Sequence, residues 1–261
     1  MFSVRDRVVV ITGGLGRLGQ QFTRSLIEHG ARVAVFDRRS EENTGNADPR
    51  RLVVEVDITD KASLERALAA VVDRWGPPFA LVNNAALDSP PDAPAEENGP
   101  FETYPEASWD RVMEVNVKGT FLACQVVGAA MAEAGRGSVI NISSIYGVVS
   151  PDQRIYEYRQ AKGPAFFKPV AYSASKSALM NLTRYLATYW AGRGVRVNTL
   201  TLAGVFAGQD DAFLRGYTAK VPLGRMADET EYNGAVMFLI SDASRYMTGS
   251  NLVVDGGFTA W

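Results

Sequence analysis

The sequence predicts an α/β fold with a doubly wound parallel sheet, and three observations support this prediction. Short runs of β-branched and other apolar residues alternate with longer helical segments along all 261 residues. The runs are apolar throughout, which is typical of parallel strands that are buried on both faces. No internal repeat and no linker interrupts the pattern. With right-handed crossovers, we therefore expect a seven-stranded sheet with helices on both faces, in a single domain spanning residues 1–261.

The elements follow in order along the chain. Strands are expected at 8–11, 33–36, 52–56, 80–82, 138–142, 195–197 and 252–254. A first helix should end near Ile27, and others are expected at 61–75, 107–134, 173–192 and 228–241. Two stretches, 88–106 and 151–171, lack a regular period and are expected to be loops. Both follow the C-terminal ends of strands, where open parallel sheets bind ligands.

Composition limits the classes of function. A net charge of −2 shows no footprint for nucleic acid. No apolar run approaches the roughly 20 residues that span a bilayer, and the N-terminus lacks a signal-peptide layout. The single cysteine, Cys124, and the single histidine, His29, argue against disulfides, metal clusters and a Ser-His-Asp arrangement. We expect a cytoplasmic protein without a metal, and Cys124 should be a small apolar residue in a buried helix.

A glycine-rich turn lies between the first strand and the first helix. After Thr12 the chain continues with Gly13, Gly14, Leu15, Gly16, Arg17, Leu18 and Gly19. Glycines let the backbone approach a pyrophosphate closely, and the N-terminal N–H groups of the following helix point at the phosphate. The turn therefore predicts dinucleotide binding, and the alternative is a tight turn that only packs the helix on the strand.

Asp37 at the end of the second strand bears on the choice of cofactor. A carboxylate there can accept hydrogen bonds from an adenosine ribose and repels a 2′-phosphate, which favours NAD. Arg38 and Arg39 follow directly and could hold that phosphate, so NADP stays open. Further cofactor contacts are expected at the same sheet edge, from Asp57, Ile58, Asn84, Ala85, Ala86 and Val205.

Four polar residues indicate proton-transfer chemistry. Tyr172 and Lys176 are one helical turn apart and project from one helix face. A positive charge beside a phenol favours the phenolate and lowers its pKa from about 10. Ser144 ends the fifth strand, and Asn116 lies within a helix, where an asparagine can open the backbone ladder and order a water. Taken singly, these residues could be a solvated helix face, a turn cap and a core amide.

In this order, the residues resemble the short-chain dehydrogenase/reductase family, whose members have a Rossmann-type fold. The resemblance extends from Val8 to Gly257. It includes the Thr12–Gly19 turn, Asp57, Asn83, Asn84, Ala85, Asn116, Ser144, Tyr172, Lys176, Val197, Asn198, Pro222, Leu223, Gly224, Arg225, Val254, Asp255, Gly256 and Gly257.

The resemblance implies a hydride transfer between NAD(P) and a secondary alcohol or ketone. Tyr172 would exchange the proton, and Lys176 would lower its pKa and bind the nicotinamide ribose. Ser144 would place the substrate oxygen, and Asn116 would hold a water that links Lys176 to solvent. The resemblance also implies a homodimer or homotetramer formed through the long helices, and the tail from Phe258 to Trp261 could be buried at another contact.

Several departures from the family pattern make the site unusual. Arg17 stands in place of the middle glycine, Ala86 in place of a glycine, and Leu202-Ala203-Gly204 in place of a Pro-Gly pair. Ser144 and Tyr172 are 28 positions apart, about twice the family's separation. The added residues, 151–171, are called the insertion below.

The insertion carries a net charge of +2. Its charged residues are Arg154, Arg159, Lys162 and Lys168 against Asp152 and Glu157. Beside a pocket, it would favour a polar, anionic or sugar-derived substrate, and otherwise it would cap a subunit interface. Two further functions stay open: a nucleotide-sensing scaffold without turnover, and an epimerase that passes through a transient ketone.

Overall fold

A seven-stranded parallel sheet forms the centre of the computed structural model, which describes residues 1–40, 48–88, 95–163 and 166–261. The strands are β1 Val8–Thr12, β2 Arg32–Asp37, β3 Arg51–Glu55, β4 Ala80–Asn83, β5 Gly137–Ser144, β6 Val195–Leu202 and β7 Asn251–Val254. Their order is β3-β2-β1-β4-β5-β6-β7, and every pairing is parallel. The predicted fold is confirmed, and all seven strands lie where they were expected.

Helices cover both faces of this sheet. They are α1 Arg17–Glu28, α2 Lys61–Trp75, α3 Glu106–Glu133, α4 Val170–Trp190, α5 Asp211–Thr218 and α6 Asn233–Ile240. Apolar residues of α2, α3 and α4 pack on one face, and those of α1 and α6 pack on the other. The strand order reverses between β1 and β4, and at such a switch point the crossovers diverge and leave a crevice at the strands' carboxyl ends.

Helix α3 is apolar because much of it is buried. Among the described residues it is the helix that is long and apolar enough to cross a membrane, but 61% of its most apolar window is buried inside the protein. Cys124 lies in this helix and is buried, as expected, and its thiol accepts a hydrogen bond from Asn83 at 3.2 Å. Burial raises the pKa of this thiol to about 12. The composition of α3 therefore fits a core helix.

Three helical predictions need correction. The last predicted helix was placed at 228–241, but α6 begins at Asn233. Upstream, the Asp228 carboxylate accepts hydrogen bonds from the backbone N–H and hydroxyl of Thr230, at 2.9 and 2.6 Å. This local turn competes with a helix. Helix α5 was not predicted. The insertion is not all loop, because it contains a 3-10 helix from Gln153 to Lys162 and the first two residues of α4.

Candidate active site

The glycine turn is packed so closely that side chains would not fit. Gly13 has a φ of +63°, and its N–H donates to the Phe36 carbonyl at 2.7 Å. A Cβ on Gly19 would lie 2.4 Å from the Gly13 carbonyl oxygen, and one on Gly14 would lie 2.7 Å from a Val35 methyl. Gly16 is the N-cap of α1, and among the described residues no side chain caps that helix. The first N–H groups of α1 can therefore bind a pyrophosphate.

Asp37 is held in its charged form beside this turn. Its carboxylate accepts hydrogen bonds from the backbone N–H of Leu15 at 3.0 Å and from the Arg39 guanidinium at 3.2 Å. Burial opposes ionisation, but these hydrogen bonds outweigh it and lower the pKa of Asp37. Arg39 is already paired with this carboxylate, and Arg38 helps to lower the pKa of Asp57. The arrangement suits a ribose hydroxyl better than a 2′-phosphate.

Thr12 joins the ends of β1 and β4, a role that the sequence did not reveal. Its hydroxyl accepts hydrogen bonds from the backbone N–H groups of Asn84 and Ala85, both at 3.1 Å. The Asn84 amide donates in turn to the carbonyls of Thr12 and Gly13, at 3.2 and 3.0 Å. The two motifs therefore form one hydrogen-bonded edge.

The other predicted cofactor residues fall into two groups. Leu18, Asn84, Ala86 and Val205 line the main cavity. Farther along the edge, exposed Asp57 accepts hydrogen bonds from Thr59, and these lower its pKa. Ile58 is buried, and a Cβ on Gly119 would lie 2.6 Å from it. The predicted residues thus follow the sheet edge from β3 to β6.

Arg17 does not stand alone on the surface of α1. Its guanidinium donates to Glu229 and to the backbone carbonyl of Phe206, each at 2.7 Å. The residue that replaces the family's middle glycine therefore ties the glycine turn to the chain that follows β6.

Three of the predicted catalytic residues, Ser144, Tyr172 and Lys176, meet at the carboxyl end of β5. Ser144 and Tyr172 line the same cavity, and the serine is close enough to lower the pKa of the phenol, although the insertion separates the two residues in sequence. The buried Lys176 ammonium donates to the Ile142 carbonyl at 2.9 Å and lies 5.8 Å from the centre of the Tyr172 ring. The insertion therefore leaves the sheet edge and returns without moving the phenol from the serine.

Burial is the main influence on the pKa values of Tyr172 and Lys176. Burial raises the pKa of Tyr172, and the Asp88 carboxylate raises it further, while the Ser144 hydrogen bond opposes the change. Burial also lowers the pKa of Lys176 to about 8. The pKa of Tyr172 therefore lies above its ordinary value, mainly because of burial. The role of Lys176 in favouring the phenolate stays a prediction.

Asn116 lies behind the tyrosine and opens its helix as expected. It sits in the π-helical turn Glu114–Gly119 of α3. Its amide donates to the Ser175 hydroxyl at 2.9 Å and to the Leu87 carbonyl at 3.0 Å, and it accepts from the Leu87 N–H at 2.7 Å. Asn116 therefore connects α3, the chain after β4 and the helix that carries Tyr172. Its role in holding a water stays a prediction.

A cavity of about 1010 Å³ opens in front of Ser144 and Tyr172. Its aromatic wall was not predicted as part of the site. This wall consists of Tyr146, Tyr156, Phe166, Phe213 and Tyr217. Two of these residues come from the insertion, which therefore borders the cavity.

The insertion is fastened to the far side of the cavity. Asp152 forms an ion pair with Lys220, just beyond α5, at 2.7 Å. Phe258 is buried among these aromatic residues, with ring centroids 5.2 Å from Tyr217 and 6.4 Å from Tyr146. The apolar tail was expected at a contact with another subunit, but its Phe258 packs within the chain because the aromatic cluster encloses it. Trp261 remains exposed.

Comparisons with known proteins agree with this geometry. A family model described as "Enoyl-(Acyl carrier protein) reductase" matches residues 16–259. The NAD-dependent glycerol dehydrogenase of Listeria innocua is 30% identical, over 99% of this chain and 96% of its own. The galactitol 2-dehydrogenase (L-tagatose-forming) of Cereibacter sphaeroides is 34% identical, over 100% and 98%.

A solved structure extends the comparison to the fold. The short-chain dehydrogenase from Leptospira borgpetersenii with bound NAD+ is 34% identical and superimposes with a TM-score of 0.86. The match covers 98% of this chain and 93% of that one. These matches over nearly the whole chain agree with the ordered motifs, the parallel sheet and the position of Ser144 and Tyr172 in one cavity. This protein therefore belongs to the short-chain dehydrogenase/reductase family of NAD(P)-dependent oxidoreductases.

Proposed function

We propose that the protein oxidises a small polyhydroxylated secondary alcohol with NAD as the hydride acceptor. The observation that carries this proposal is that Ser144 and Tyr172 line the same cavity, which has both aromatic and polar walls, with the serine close enough to lower the pKa of the phenol. The polar wall includes Asp88, Asn98, Tyr158, Arg159 and Lys168, which supply both hydrogen-bond donors and acceptors. Relatives named for glycerol and galactitol support this substrate class.

The catalytic residues divide the work of oxidation. Tyr172 accepts the proton of the substrate hydroxyl, and Ser144 holds the same oxygen in place. When bound, NAD supplies the nicotinamide that takes up the hydride from the carbon. Lys176 favours the phenolate while its ammonium is charged. In the reverse direction, Tyr172 returns the proton to the ketone oxygen.

The insertion's charges favour a neutral substrate over an anion. Among the described residues, Arg154 is paired with Asp152 at 2.7 Å and Lys168 is paired with Asp88. Lys220 also contacts Asp152. Because carboxylates lie beside these cations, the cavity wall has less positive character than the insertion's sequence suggests. The anionic substrate therefore has less support than a neutral polyol.

The proposed cofactor is NAD rather than NADP. The buried Asp37 carboxylate and the Arg39 engaged with it leave a ribose hydroxyl as the better partner. Residues Gly13 to Gly19 would hold the pyrophosphate, and Asn84, Ala86 and Val205 lie where the cavity continues from that turn. Asp37→Ser removes the carboxylate that repels a 2′-phosphate, so it should raise the activity with NADP relative to that with NAD.

Turnover assays test the function. Purified protein is mixed with NAD+ or NADP+ and with glycerol, threitol, galactitol or 2,3-butanediol, and formation of the reduced cofactor is followed. We expect NAD-dependent oxidation that Ser144→Ala and Tyr172→Phe abolish. Cofactor binding without oxidation or reduction of any alcohol or ketone would support the nucleotide-sensing scaffold. An isomerised product without net cofactor reduction would support the epimerase.

We also propose a cytoplasmic homodimer or homotetramer. Exposed aromatic side chains lie on the two long helices, Phe121 on α3 and Tyr185 and Tyr189 on α4. The Tyr185 and Tyr189 rings are stacked with centroids 6.0 Å apart and present an apolar surface. Such a patch fits a second copy of this chain. Sedimentation should give a dimer or tetramer, and a stable monomer would contradict the proposal; cell fractionation tests the compartment.

A further inference from the structure

Lys168 places a second charged group beside the catalytic tyrosine. Its ammonium is ion-paired with the Asp88 carboxylate and lies 4.7 Å from the centre of the Tyr172 ring. The Lys168 side chain is only 10% exposed, whereas that of Asp88 is 55% exposed. Both residues line the cavity. Lys168 is therefore a second lysine beside the reacting phenol, and it lies outside the motif that identifies the family in this sequence.

The position of Lys168 is set by its backbone. Its N–H donates to the Gln153 side-chain oxygen at 2.9 Å, and its carbonyl accepts from the Gln153 amide at 3.4 Å. Pro169 follows as the N-cap of α4 and restricts the backbone at this point. Gln153, near the start of the insertion, thus fixes the backbone of Lys168, near its end. Gln153 and Pro169 together direct the Lys168 ammonium to the cavity.

The Lys168–Asp88 pair is placed to bind substrate, and this role rests on the proposed function. We propose that Lys168, held by Asp88, is a specificity-determining residue that binds a second hydroxyl of the substrate, close to the carbon that is oxidised. An ammonium has three N–H donors, so the bond to Asp88 leaves donor capacity for a substrate oxygen. The carboxylate can accept the hydrogen of the same or a neighbouring hydroxyl. Within the class of polyols, the site therefore recognises substrates with a second hydroxyl close to the carbon that is oxidised.

The pair discriminates by hydrogen bonds and not by net charge. Its positive and negative charges offset each other, so it attracts an anion less than a lone lysine would. An alcohol without the second hydroxyl would leave the largely buried ammonium with one more unmatched donor than the diol does. A site built to hydrogen-bond a hydroxyl rejects analogues that lack it. The wild-type protein should therefore prefer a vicinal diol over a mono-alcohol of the same length.

The test compares 2,3-butanediol with 2-butanol, each as the mixture of stereoisomers. In Lys168→Met, we expect kcat/KM for the diol to fall by roughly tenfold to a hundredfold, the effect of one charge-assisted hydrogen bond. For 2-butanol it should change by less than about threefold, because that substrate lacks the bonded group. The Kd for NAD should stay unchanged. Arg154→Met is the matched control, because it removes an exposed cation from the same insertion.

The outcomes distinguish a failure of the proposed Lys168 role from a failure of the proposed function. If the wild-type protein binds NAD but oxidises neither alcohol nor any other polyol, the proposed function fails and the inference fails with it. If it oxidises both alcohols, and Lys168→Met lowers kcat/KM equally for both or for neither, only the inference is overturned.

A second variant guards against misfolding. Circular dichroism and thermal melting show whether Lys168→Met is folded. Asp88→Asn keeps the size of the side chain and removes its charge, and it frees the lysine for anions. In this variant we expect the diol preference to fall and the activity on tartrate, relative to the diol, to rise. An unchanged ratio between the three substrates in Asp88→Asn would overturn the inference.

Discussion

The nucleotide end and the substrate end of the cleft are held together by different kinds of contact. At the nucleotide end, the contacts involve backbone groups: the Gly13 N–H donates to the Phe36 carbonyl, and the Asn84 side-chain amide donates to the Thr12 carbonyl. At the substrate end, side chains bond directly to each other, as Lys168 does to Asp88. Substitutions at the first end should therefore change cofactor affinity, and those at the second should change substrate discrimination.

The largest effect should come from the tyrosine between the two ends. Tyr172→Phe removes the proton acceptor and should lower kcat by about a thousandfold or more, in the upper part of the range for general acid–base catalysis. The Kd for NAD, measured by calorimetry, should stay within about twofold, because the ring remains. Tyr185→Phe, at an exposed position on the same helix, is the control. Retained turnover in Tyr172→Phe would overturn the catalytic assignment.

The pH profile should run in opposite directions for the two reactions. Burial raises the pKa of Tyr172, so the phenol keeps its proton at neutral pH and must lose it to act as a base. Alcohol oxidation should rise by about tenfold per pH unit below the controlling pKa, while ketone reduction should fall as pH rises through it.

Lys176 should limit the rise in oxidation. Its pKa is lowered to about 8, so its charge is lost as pH rises past that value, and with it the support for the phenolate. The rise should flatten there. Initial rates measured across the range in one constant-ionic-strength buffer check both directions, and parallel profiles for oxidation and reduction would contradict the role of Tyr172.

At the nucleotide end, Gly19→Ala should weaken NAD binding by about tenfold. The added methyl would lie 2.4 Å from the Gly13 carbonyl oxygen and would push α1 from the turn. Such overpacking costs about 1–3 kcal/mol. Gly234→Ala in α6 is the control, because a Cβ there meets nothing within 4 Å. Equal Kd values for both variants would show that the close approach of α1 is unimportant to the cofactor.

The smallest effect should come from the contact that fastens the insertion. Lys220→Met removes the ion pair with Asp152, and exposed pairs contribute about 0–1 kcal/mol. We expect the KM for a polyol to rise by about twofold to fivefold, with the Kd for NAD unchanged. Arg50→Met breaks a comparable pair with Asp48 outside the cavity and should leave KM unaltered. A change in NAD affinity alone would contradict the division between the two ends.

Local patterns predicted more of the nucleotide end than of the substrate end. The Thr12–Gly19 turn, Asp37 and Asn84 lie at strand ends, and the apolar run of each strand shows in the sequence where that strand ends. The helix predicted from 228 was wrong because the Asp228 side chain forms a local turn with Thr230. Helix α5 was missed, although Asp210 caps it through the Ala212 N–H at 2.8 Å. A capping aspartate between two apolar stretches was the available signal.

The sequence by itself determined the family and the parallel sheet, and it supplied the prediction of the catalytic residues, because these depend on short motifs and on apolar runs of adjacent residues. Only the tertiary structure decided the environment of those residues. Burial raises the pKa of Tyr172, and Asp88 offsets the charge of Lys168. Both effects depend on which distant side chains approach and how much water they exclude, and no spacing along the chain records either quantity.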